Sequence, residues 1–567
     1  MFAALPRLYY ASGPMAAESA RGGGRLGWLL AVLAVALAVR LANLWLTAQL
    51  PVAEYQFRWN QGDMAANYLW SERILRGDIL SRDSGRPWVT DIAPLETWER
   101  WWGGKAVLHK APLYPYMLAG MRLLAGDGFW GIGLCQLALG LVDVSLIFLL
   151  AERFFDRTAA TVAGLGAACY GLFLLHETLL LRDCLGVTTS LLLLWGLARC
   201  DQASPRRWVV AGMLFALALL AREATLPFGP FVVLWIVERF WKRWSAVATA
   251  LGCFAAGVLL GLLPLFARNI AVGVRPWALS SLALEAIVFG HTADAFQLGF
   301  NVPPSAKSIL IQSDGRLSTA IRLTLATYHD DWWLLLRNQA IRAAAIFSRF
   351  EGMDNVNWYY FVDRSPILRF SLRYDAVLAF GLVGLWLARR DASRQRILCY
   401  FLLATFAALM LKPPVVGRYR LAPTAVLLVY AGAAVAWFGR EIRAERWKSV
   451  ARAGIASAAI LVVSANLLRW YEPRLRNRAA EFLLAGEFYY RRQQPERALD
   501  ELRAGLRSAY RGPDRPALSK DFIEVAVQFA NVARELGRDA DAAAELRRLA
   551  ADFPGDPNLP RLVALVS

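Results

Sequence analysis

The sequence predicts an all-α polytopic membrane protein that ends in a small soluble α-helical domain. Of its 567 residues, 57% are hydrophobic and 22 are Trp, and the mean hydropathy is +0.37. These values are too apolar for a soluble enzyme. The net charge of +18 comes from Lys and Arg clusters between apolar runs, which is typical of cytoplasmic loops. We therefore expect membrane lipids as partners and no nucleic acid.

Apolar runs long enough to cross a bilayer, or nearly so, predict about eleven transmembrane helices. They lie at residues 26–48, 129–151, 158–175, 178–198, 208–221, 224–238, 245–267, 373–388, 397–411, 421–438 and 453–469. Residues 208–238 could instead form a re-entrant hairpin, and the sidedness of every other loop would be unchanged. Basic clusters follow the even-numbered spans, so these ends are predicted to be cytoplasmic.

This topology divides the chain into three regions. Residues 1–25 form a cytoplasmic tail, and residues 26–470 form a transmembrane domain. That domain has two large segments on the outer face, residues 49–128 and 268–372. A short proline-containing run from Pro112 and a helix with an apolar stripe from Trp332 are predicted to lie along the membrane surface.

Residues 471–567 are predicted to form a soluble helical domain on the outer side. Small and aromatic residues there match the spacing of tetratricopeptide repeats in two successive sets. The sets are Gly486, Tyr489, Ala498 and Leu502, and then Ala530, Ala533, Ala542, Leu546 and Pro554. Because two repeats are few for an independent solenoid, we expect them to pack on the membrane domain. They are also a candidate surface for a protein partner.

The sequence predicts neither a metal site nor a cofactor. Six cysteines lie in or beside apolar runs without CxxC spacing, which is typical of small core residues. The four histidines are all on the predicted outer side, yet no two have the spacing of metal ligands.

Several charged residues are predicted to gather at the outer ends of the spans. They are Asp63, Lys110, Glu177, Arg222, Arg268, Glu351, Arg418 and Arg420. Lys and Arg there would bind a phosphate, and a carboxylate would act as general base on an acceptor hydroxyl. For Asp63 the alternative is a solvated residue at a helix N-terminus, since Gly-Asp precedes a helical pattern. Glu351, Asp354 and Asn355 could line the entry of the acceptor, or belong to an exposed loop.

Two further charges, Arg40 and Asp143, lie inside predicted spans, where ionisable residues are functional candidates. The predicted boundaries put them at different depths, so no direct pair is expected. A structural role is an equal alternative.

Several motifs, taken in order, resemble the GT-C glycosyltransferases of the protein O-mannosyltransferase type, a group that includes the lipid A aminoarabinose transferases. The motifs are NYLWSERILRGD, HKAPLYPYMLAG, HETLLLRD, AREATLPF, PLFARNIAVGVRPWALSS, RFEGMDNVNWYYFVDRSPILR and GRYRLAP. The resemblance covers about residues 26–440 and rests on the order and spacing of the motifs together.

The resemblance implies roles for individual residues. Asp63 would be the acid that activates the acceptor, and Lys110 would contact the donor phosphate. Glu177 takes the place of the family's second acid, although it could instead orient the acceptor or Arg222. Arg418 and Arg420 resemble phosphate or pyranose contacts.

We therefore predict an enzyme of a bacterial inner membrane, with its N-terminus in the cytoplasm and its C-terminal domain in the periplasm. It would transfer a monosaccharide from a polyprenyl-phosphate donor to a protein, lipid or glycan acceptor, with inversion at the anomeric carbon. The alternative from another class is a transporter or flippase of a lipid-linked sugar, which would need no acid gathered with cations at one face. A third hypothesis is that the protein serves chiefly as a docking platform for a partner through its C-terminal repeats.

Overall fold

The protein is helical throughout the part of the chain that its computed structural model describes. These residues are 22–59, 62–83, 92–200, 204–298, 302–389, 392–411, 415–469, 479–509 and 519–566. Among them the only β-type pairing is one isolated bridge between Tyr170 and Leu372. The all-α class predicted from the sequence is confirmed.

The helices of the membrane domain are α1 (Gly22–Thr47), α2 (Val52–Tyr55), α3 (Asp63–Leu75), α4 (Leu95–Trp101), α5 (Leu113–Ala125), α6 (Phe129–Phe154), α7 (Arg157–Cys169), α8 (Gly171–His176), α9 (Asp183–Ala198), α10 (Pro205–Ala221), α11 (Gly229–Arg239), α12 (Trp244–Ala271), α13 (Ala283–His291), α14 (Ala306–Ser313), α15 (Leu317–Ala326), α16 (Trp332–Phe347), α17 (Trp358–Arg364), α18 (Pro366–Arg369), α19 (Tyr374–Ala388), α20 (Ala392–Leu411), α21 (Leu421–Arg443) and α22 (Trp447–Asn466). The C-terminal helices are α23 (Ala479–Arg491), α24 (Pro495–Ser508), α25 (Lys520–Glu535), α26 (Asp539–Asp552) and α27 (Leu559–Val566). Two 3-10 turns, Glu223–Phe228 and Gly417–Arg420, precede α11 and α21.

Helices occupy the predicted spans, but among the described residues five are long and apolar enough to cross a membrane by themselves. They are Gly24–Thr47, Phe129–Phe154, Trp244–Ala271, Gly417–Arg443 and Trp447–Asn466. Two predicted spans are interrupted or shortened: the run 158–175 is broken at Tyr170, which has extended backbone between α7 and α8. The helix expected from residue 178 begins only at Asp183. The count of eleven spans stays a prediction.

Helix α21 forms the centre of the bundle, because most of its length is buried against α7, α9 and α19. Glycines allow its closest contacts. A side chain on Gly432 would lie 2.3 Å from the Ala159 carbonyl oxygen of α7, and one on Gly384 of α19 would lie 2.0 Å from the Tyr430 carbonyl oxygen. Small residues at crossing points are the usual means by which membrane helices approach this closely.

The C-terminal helices have their own apolar core and also pack on the membrane domain. Phe482 of α23 lies edge-on to Tyr360 of α17, with ring centroids 5.5 Å apart. Glu501 of α24 accepts a hydrogen bond of 2.5 Å from Arg364, which also stacks on Tyr360 at 3.7 Å. Docking on the membrane domain agrees with the expectation, whereas the tetratricopeptide character of these helices stays a prediction.

Reversing the charge of Glu501 tests this docking. Glu501→Arg places a second positive charge next to Arg364 in a half-buried contact. We therefore expect a lower thermal unfolding midpoint of the full-length protein and faster tryptic release of the C-terminal helices. The double variant Arg364→Glu with Glu501→Arg should recover part of the loss. Arg503→Ala, which removes an exposed pair within α24, is the control. A midpoint equally unaffected by all three variants would contradict the docking.

Cysteine labelling tests the predicted sidedness. Arg82, in the first outer segment, and Arg243, between α11 and α12, are both exposed. In a background lacking the six native cysteines, a membrane-impermeant maleimide should label Arg82→Cys in intact spheroplasts and Arg243→Cys only after lysis. Labelling of both from the same side would refute the topology.

Candidate active site

The candidate site is built around Asp63, the first residue of α3. Gly62 before it has extended backbone (φ −102°, ψ 151°) and forms the N-cap of the helix. A side chain on Gly62 would lie 2.7 Å from the Trp59 ring, so glycine allows this close entry. The partial positive charge of the helix N-terminus favours a carboxylate at this position.

The Asp63 carboxylate is held by three side chains from distant parts of the sequence. Lys110 donates to Oδ1, Arg418 donates to Oδ2 at 2.8 Å, and the Asn355 amide donates to Oδ2 at 3.1 Å. Asn355 also accepts a hydrogen bond of 2.6 Å from the Asp63 backbone N–H. The side chain is 19% exposed. These contacts distinguish Asp63 from the solvated helix cap that was its alternative interpretation.

The two cations decide the protonation state of Asp63. Burial raises the pKa of this carboxyl, but the charges and hydrogen bonds of Lys110 and Arg418 outweigh that effect and hold the pKa well below its ordinary value. Asp63 is therefore ionised at neutral pH. The same two cations also make it a weak base as long as both are bound to it.

Arg418 links Asp63 to a second carboxylate, Asp183. It lies on the 3-10 turn before α21 and reaches Asp63, Asp354 and, at 3.3 Å, Asp183. Asp183 is the first residue of α9 and also binds Arg222 at 2.8 Å. Because a guanidinium stays protonated in proteins, Arg418 is the positive charge at the centre of the cluster.

Glu223 positions the loop that carries Lys110. Its Oε1 accepts a hydrogen bond of 2.6 Å from the Ala111 backbone N–H, and its Oε2 accepts one of 2.8 Å from Arg182. On the other side of the loop, the His109 ring lies 3.3 Å from the Ser281 hydroxyl. The loop is thereby fastened both to the α10–α11 turn and to the second outer segment.

Glu351 and Arg420 form a separate buried pair beside the cluster. Arg420 donates to the backbone carbonyls of Ser348 and Phe350, each at 2.6 Å, and to the Glu351 carboxylate. A side chain on Gly417 would lie 2.6 Å from Glu351 Oε2, so glycine makes room for the pair. Burial raises the pKa of Glu351 to about 7, an effect that Arg420 only partly opposes.

Three predicted site residues have other partners than expected. Glu177 is bound by Arg40 at 2.8 and 2.9 Å, and its carboxyl leaves no room for a side chain on Gly140. Arg268 donates to the backbone carbonyls of Leu80 at 2.7 Å and Ser81 at 2.6 Å. Arg420, like Arg268, donates to backbone carbonyls, and it also binds Glu351. The sequence predicted Glu177 as a second acid of the site and Arg268 and Arg420 as phosphate contacts, whereas the structure gives each of them these other partners.

The structure brings together Asp63, Lys110, Asn355, Arg222 and Arg418, and it adds residues that the sequence interpretation missed. The missed residues are Asp183, Arg182, Glu223 and His176. Asp354, predicted at the entry of the acceptor, joins the cluster through Arg418. A signal existed for some of them, because HETLLLRD contains Asp183 as well as Glu177, and AREATLPF contains Glu223 beside Arg222. Among the described residues, no three His, Cys, Asp or Glu side chains are arranged to hold a metal ion.

Comparison with known proteins identifies the region that contributes most of these residues. Residues 109–267 match the family model of the dolichyl-phosphate-mannose-protein mannosyltransferases. This segment is thus similar to a family of membrane glycosyltransferases, and it makes up less than a third of the chain. The resemblance predicted from the motifs is thereby confirmed, and the segment includes Lys110, Asp183 and Arg222.

Solved structures show weaker similarity to this chain. One is the archaeal oligosaccharyltransferase AglB from Archaeoglobus fulgidus, solved with an inhibitory peptide and a dolichol-phosphate. The two sequences are 14% identical, the match covers 84% of this chain and 59% of that chain, and the TM-score is 0.45. Another is ArnT from Cupriavidus metallidurans bound to undecaprenyl phosphate. It is 15% identical to this chain, the match covers 93% of this chain and 80% of that chain, and the TM-score is 0.41. Because both scores are below 0.5, the family match alone carries the assignment. No curated protein sequence matches the chain.

The pKa of Asp63 leads to a prediction about acid stability. A depressed carboxyl pKa adds stability above the unfolded-state pKa, and this stability is lost only as the pH falls through the lower folded-state value. Lys110→Met removes one cation, so Asp63 should protonate at higher pH and the thermal midpoint should begin to fall at higher pH than in the wild type. With Asp63→Asn added, this pH-dependent difference should disappear. Identical acid profiles for wild type and Lys110→Met would contradict the assignment.

Proposed function

We propose that the protein transfers a monosaccharide from a polyprenyl-phosphate donor to an acceptor hydroxyl or amine on the periplasmic face of a bacterial inner membrane. One observation carries the proposal: a carboxylate held between two cations, with Lys110 inside the family-matched segment and Arg418 outside it. Such a set contains a base for the acceptor and positive charge for the departing phosphate. A carrier of lipid-linked sugars would need binding groups but no base.

Lys110 and Arg418 are the proposed contacts of the donor phosphate. Both are already bound to an acid, so the phosphodiester anion of the donor would compete with Asp63 for them, and the polyprenyl phosphate released by transfer would compete more strongly because it carries a second ionisable oxygen. Arg222 binds Asp183 at 2.8 Å, as Arg418 does at 3.3 Å. It would add a third positive charge. Arg268 and Arg420 are not included, because backbone carbonyls occupy their guanidinium groups.

Donor binding would also activate Asp63. In the free protein its low pKa makes it a poor proton acceptor, whereas a base works best when its pKa is near the operating pH. When the phosphate draws Lys110 or Arg418 away, the carboxylate loses a stabilising charge and becomes more basic. The base is thus masked until the donor is bound.

The transfer step then follows an inverting displacement. The acceptor oxygen forms a bond to the anomeric carbon while the bond from that carbon to the phosphate oxygen breaks. Asp63 takes the proton of the acceptor, and the released phosphate keeps the bonding electron pair, stabilised by Lys110 and the arginines. Asn355 would orient Asp63, since it contacts both the carboxylate and the backbone N–H.

Glu351 is the rival candidate for the base, because its pKa of about 7 suits proton transfer at neutral pH. Its carboxyl, however, is bound to Arg420, which is anchored to the backbone. We therefore assign Glu351 to the acceptor side and keep Asp63 as the base.

Paired substitutions distinguish these two acids. In a deletion strain, mass spectrometry of surface glycans, lipids and proteins would identify the lost modification. Wild-type protein should restore it, and Asp63→Asn should lower the transfer rate by about a hundred-fold to ten-thousand-fold, as loss of a general base does. Glu351→Gln should retain much more of the activity. Normal transfer by Asp63→Asn would refute the assignment.

Binding of undecaprenyl phosphate to the purified variants is the control for that experiment. Asp63→Asn should still bind this lipid, since the cations remain, while Lys110→Ala should bind it more weakly. Loss of lipid binding in Asp63→Asn would show that the residue acts on the fold or on the donor.

A further inference from the structure

A buried non-helical segment, residues 177–182, joins α8 to α9 and ends beside the charged cluster. It contains Arg182 and is followed directly by Asp183. All six of its residues are buried, so their backbone N–H and C=O groups have little access to water. Buried backbone groups outside helices need other partners, above all in a membrane protein. The position of this segment therefore depends on the side chains that supply those partners.

Gln136 of α6 is the central partner of the segment. Its amide nitrogen donates to the Glu177 carbonyl at 3.2 Å and to the Leu179 carbonyl at 3.0 Å. Its amide oxygen accepts a hydrogen bond of 2.8 Å from the hydroxyl of Tyr114, which lies on α5 four residues after Lys110. Both side chains are fully buried. Gln136 thus connects the segment before α9 to the helix that follows the Lys110 loop.

Asn67 connects the same segment to α3. Its amide donates to the Leu180 carbonyl at 2.9 Å, and the Leu180 backbone N–H donates to the Gln56 side chain at 3.0 Å. Asn67 follows Asp63 by four residues, so the two side chains lie on the same face of α3. The contact therefore ties the helix that begins at Asp63 to the segment before α9.

The bridge formed by Arg418 depends on the distance between these helices. Arg418 binds Asp63 at 2.8 Å and Asp183 at 3.3 Å. It reaches both acids because the starts of α3 and α9 keep their present separation. Leu180, which Asn67 holds, precedes Asp183 by only three residues. The amide contacts thus act close to the acids whose separation matters.

We propose that Gln136 and Asn67 are positioning residues for the transfer reaction: their amides fix the starts of α3, α5 and α9 relative to one another and so keep Asp63 between its cations. The inference rests on the proposed function. Both residues act through the backbone that they hold. Apolar packing is non-directional, whereas an amide hydrogen bond requires a defined distance and angle, so these contacts can set the position of a helix end more closely than packing does.

Acid profiles of stability test this positioning without turnover. Gln136→Met and Asn67→Leu each remove a buried amide, and so does the control Asn43→Leu, whose amide holds the Leu174 carbonyl of α8 at 2.8 Å. All three should lower the thermal midpoint of the full-length protein at neutral pH. Only the first two should also shift its acid limb to higher pH, by about half a unit or more, because the cations lower the pKa of Asp63 less when they are displaced.

The shift should be traceable to Asp63. Adding Asp63→Asn to Asn67→Leu should shrink it, while the other charged and titratable groups that act on this carboxyl stay in place: Lys110, Arg418, Arg182 and Tyr419. Tyr114→Phe, which removes one hydroxyl and keeps the packing, should give a smaller shift in the same direction and carries the test if loss of an amide prevents folding. An unshifted acid limb in the folded variants overturns the proposal, as does an equal shift in Asn43→Leu.

Transfer in the deletion strain gives the second readout. At equal amounts of folded protein, Gln136→Met and Asn67→Leu should transfer about tenfold to a hundred-fold more slowly than the wild type, as small displacements of reacting groups do. Asn43→Leu should transfer at nearly the wild-type rate, and equal losses in all three variants overturn the positioning role. The two proposals fail separately. Normal transfer by Asp63→Asn refutes the proposed function, whereas unshifted acid profiles refute only the role of the amides.

Discussion

The arrangement of this site depends on one interaction, the contact of the Asp63 carboxylate with Lys110 and Arg418. A carboxylate this poorly exposed is costly to ionise unless cations compensate it, and a buried guanidinium such as Arg418 is equally costly without anions. Each therefore requires the other. Because these residues come from the start of α3, the loop before α5 and the turn before α21, their pairing draws three separate parts of the chain to one point.

A surrounding set of contacts holds that point in place. Glu223 connects the Lys110 loop to Arg182, and Asp183 receives both Arg222 and Arg418. Arg420 ties Glu351 to the backbone of the second outer segment. Most of these side chains lie at the first residue of a helix or in a turn just before one, where the backbone ends rigidly and the helix dipole favours acids. The charges are thus preorganised by the ends of the helices rather than by long flexible loops.

The C-terminal helices extend this arrangement beyond the membrane domain. They contact α17 through Tyr360 and Arg364, and α17 directly follows the loop that contains Asn355. The C-terminal helices are therefore in contact with the same short segment that carries Asn355, a partner of Asp63.

The sequence was sufficient to predict the helical class and the resemblance to a glycosyltransferase family, and it singled out Asp63, Lys110 and Arg418, which the structure brings into contact. Periodic apolar runs and basic clusters are local properties, and so are Gly-Asp at the start of α3 and the motifs around Lys110 and Arg418. Where one motif contains two residues of the same charge, only the tertiary structure decided which of them joins the cluster around Asp63. In HETLLLRD it is Asp183 that joins the cluster while Glu177 faces Arg40, and in GRYR it is Arg418 while Arg420 binds backbone carbonyls. The break at Tyr170 and the turn Gly417–Arg420 set the direction in which each side chain points. A direction of that kind follows from how the helices pack, which no local pattern of residues contains.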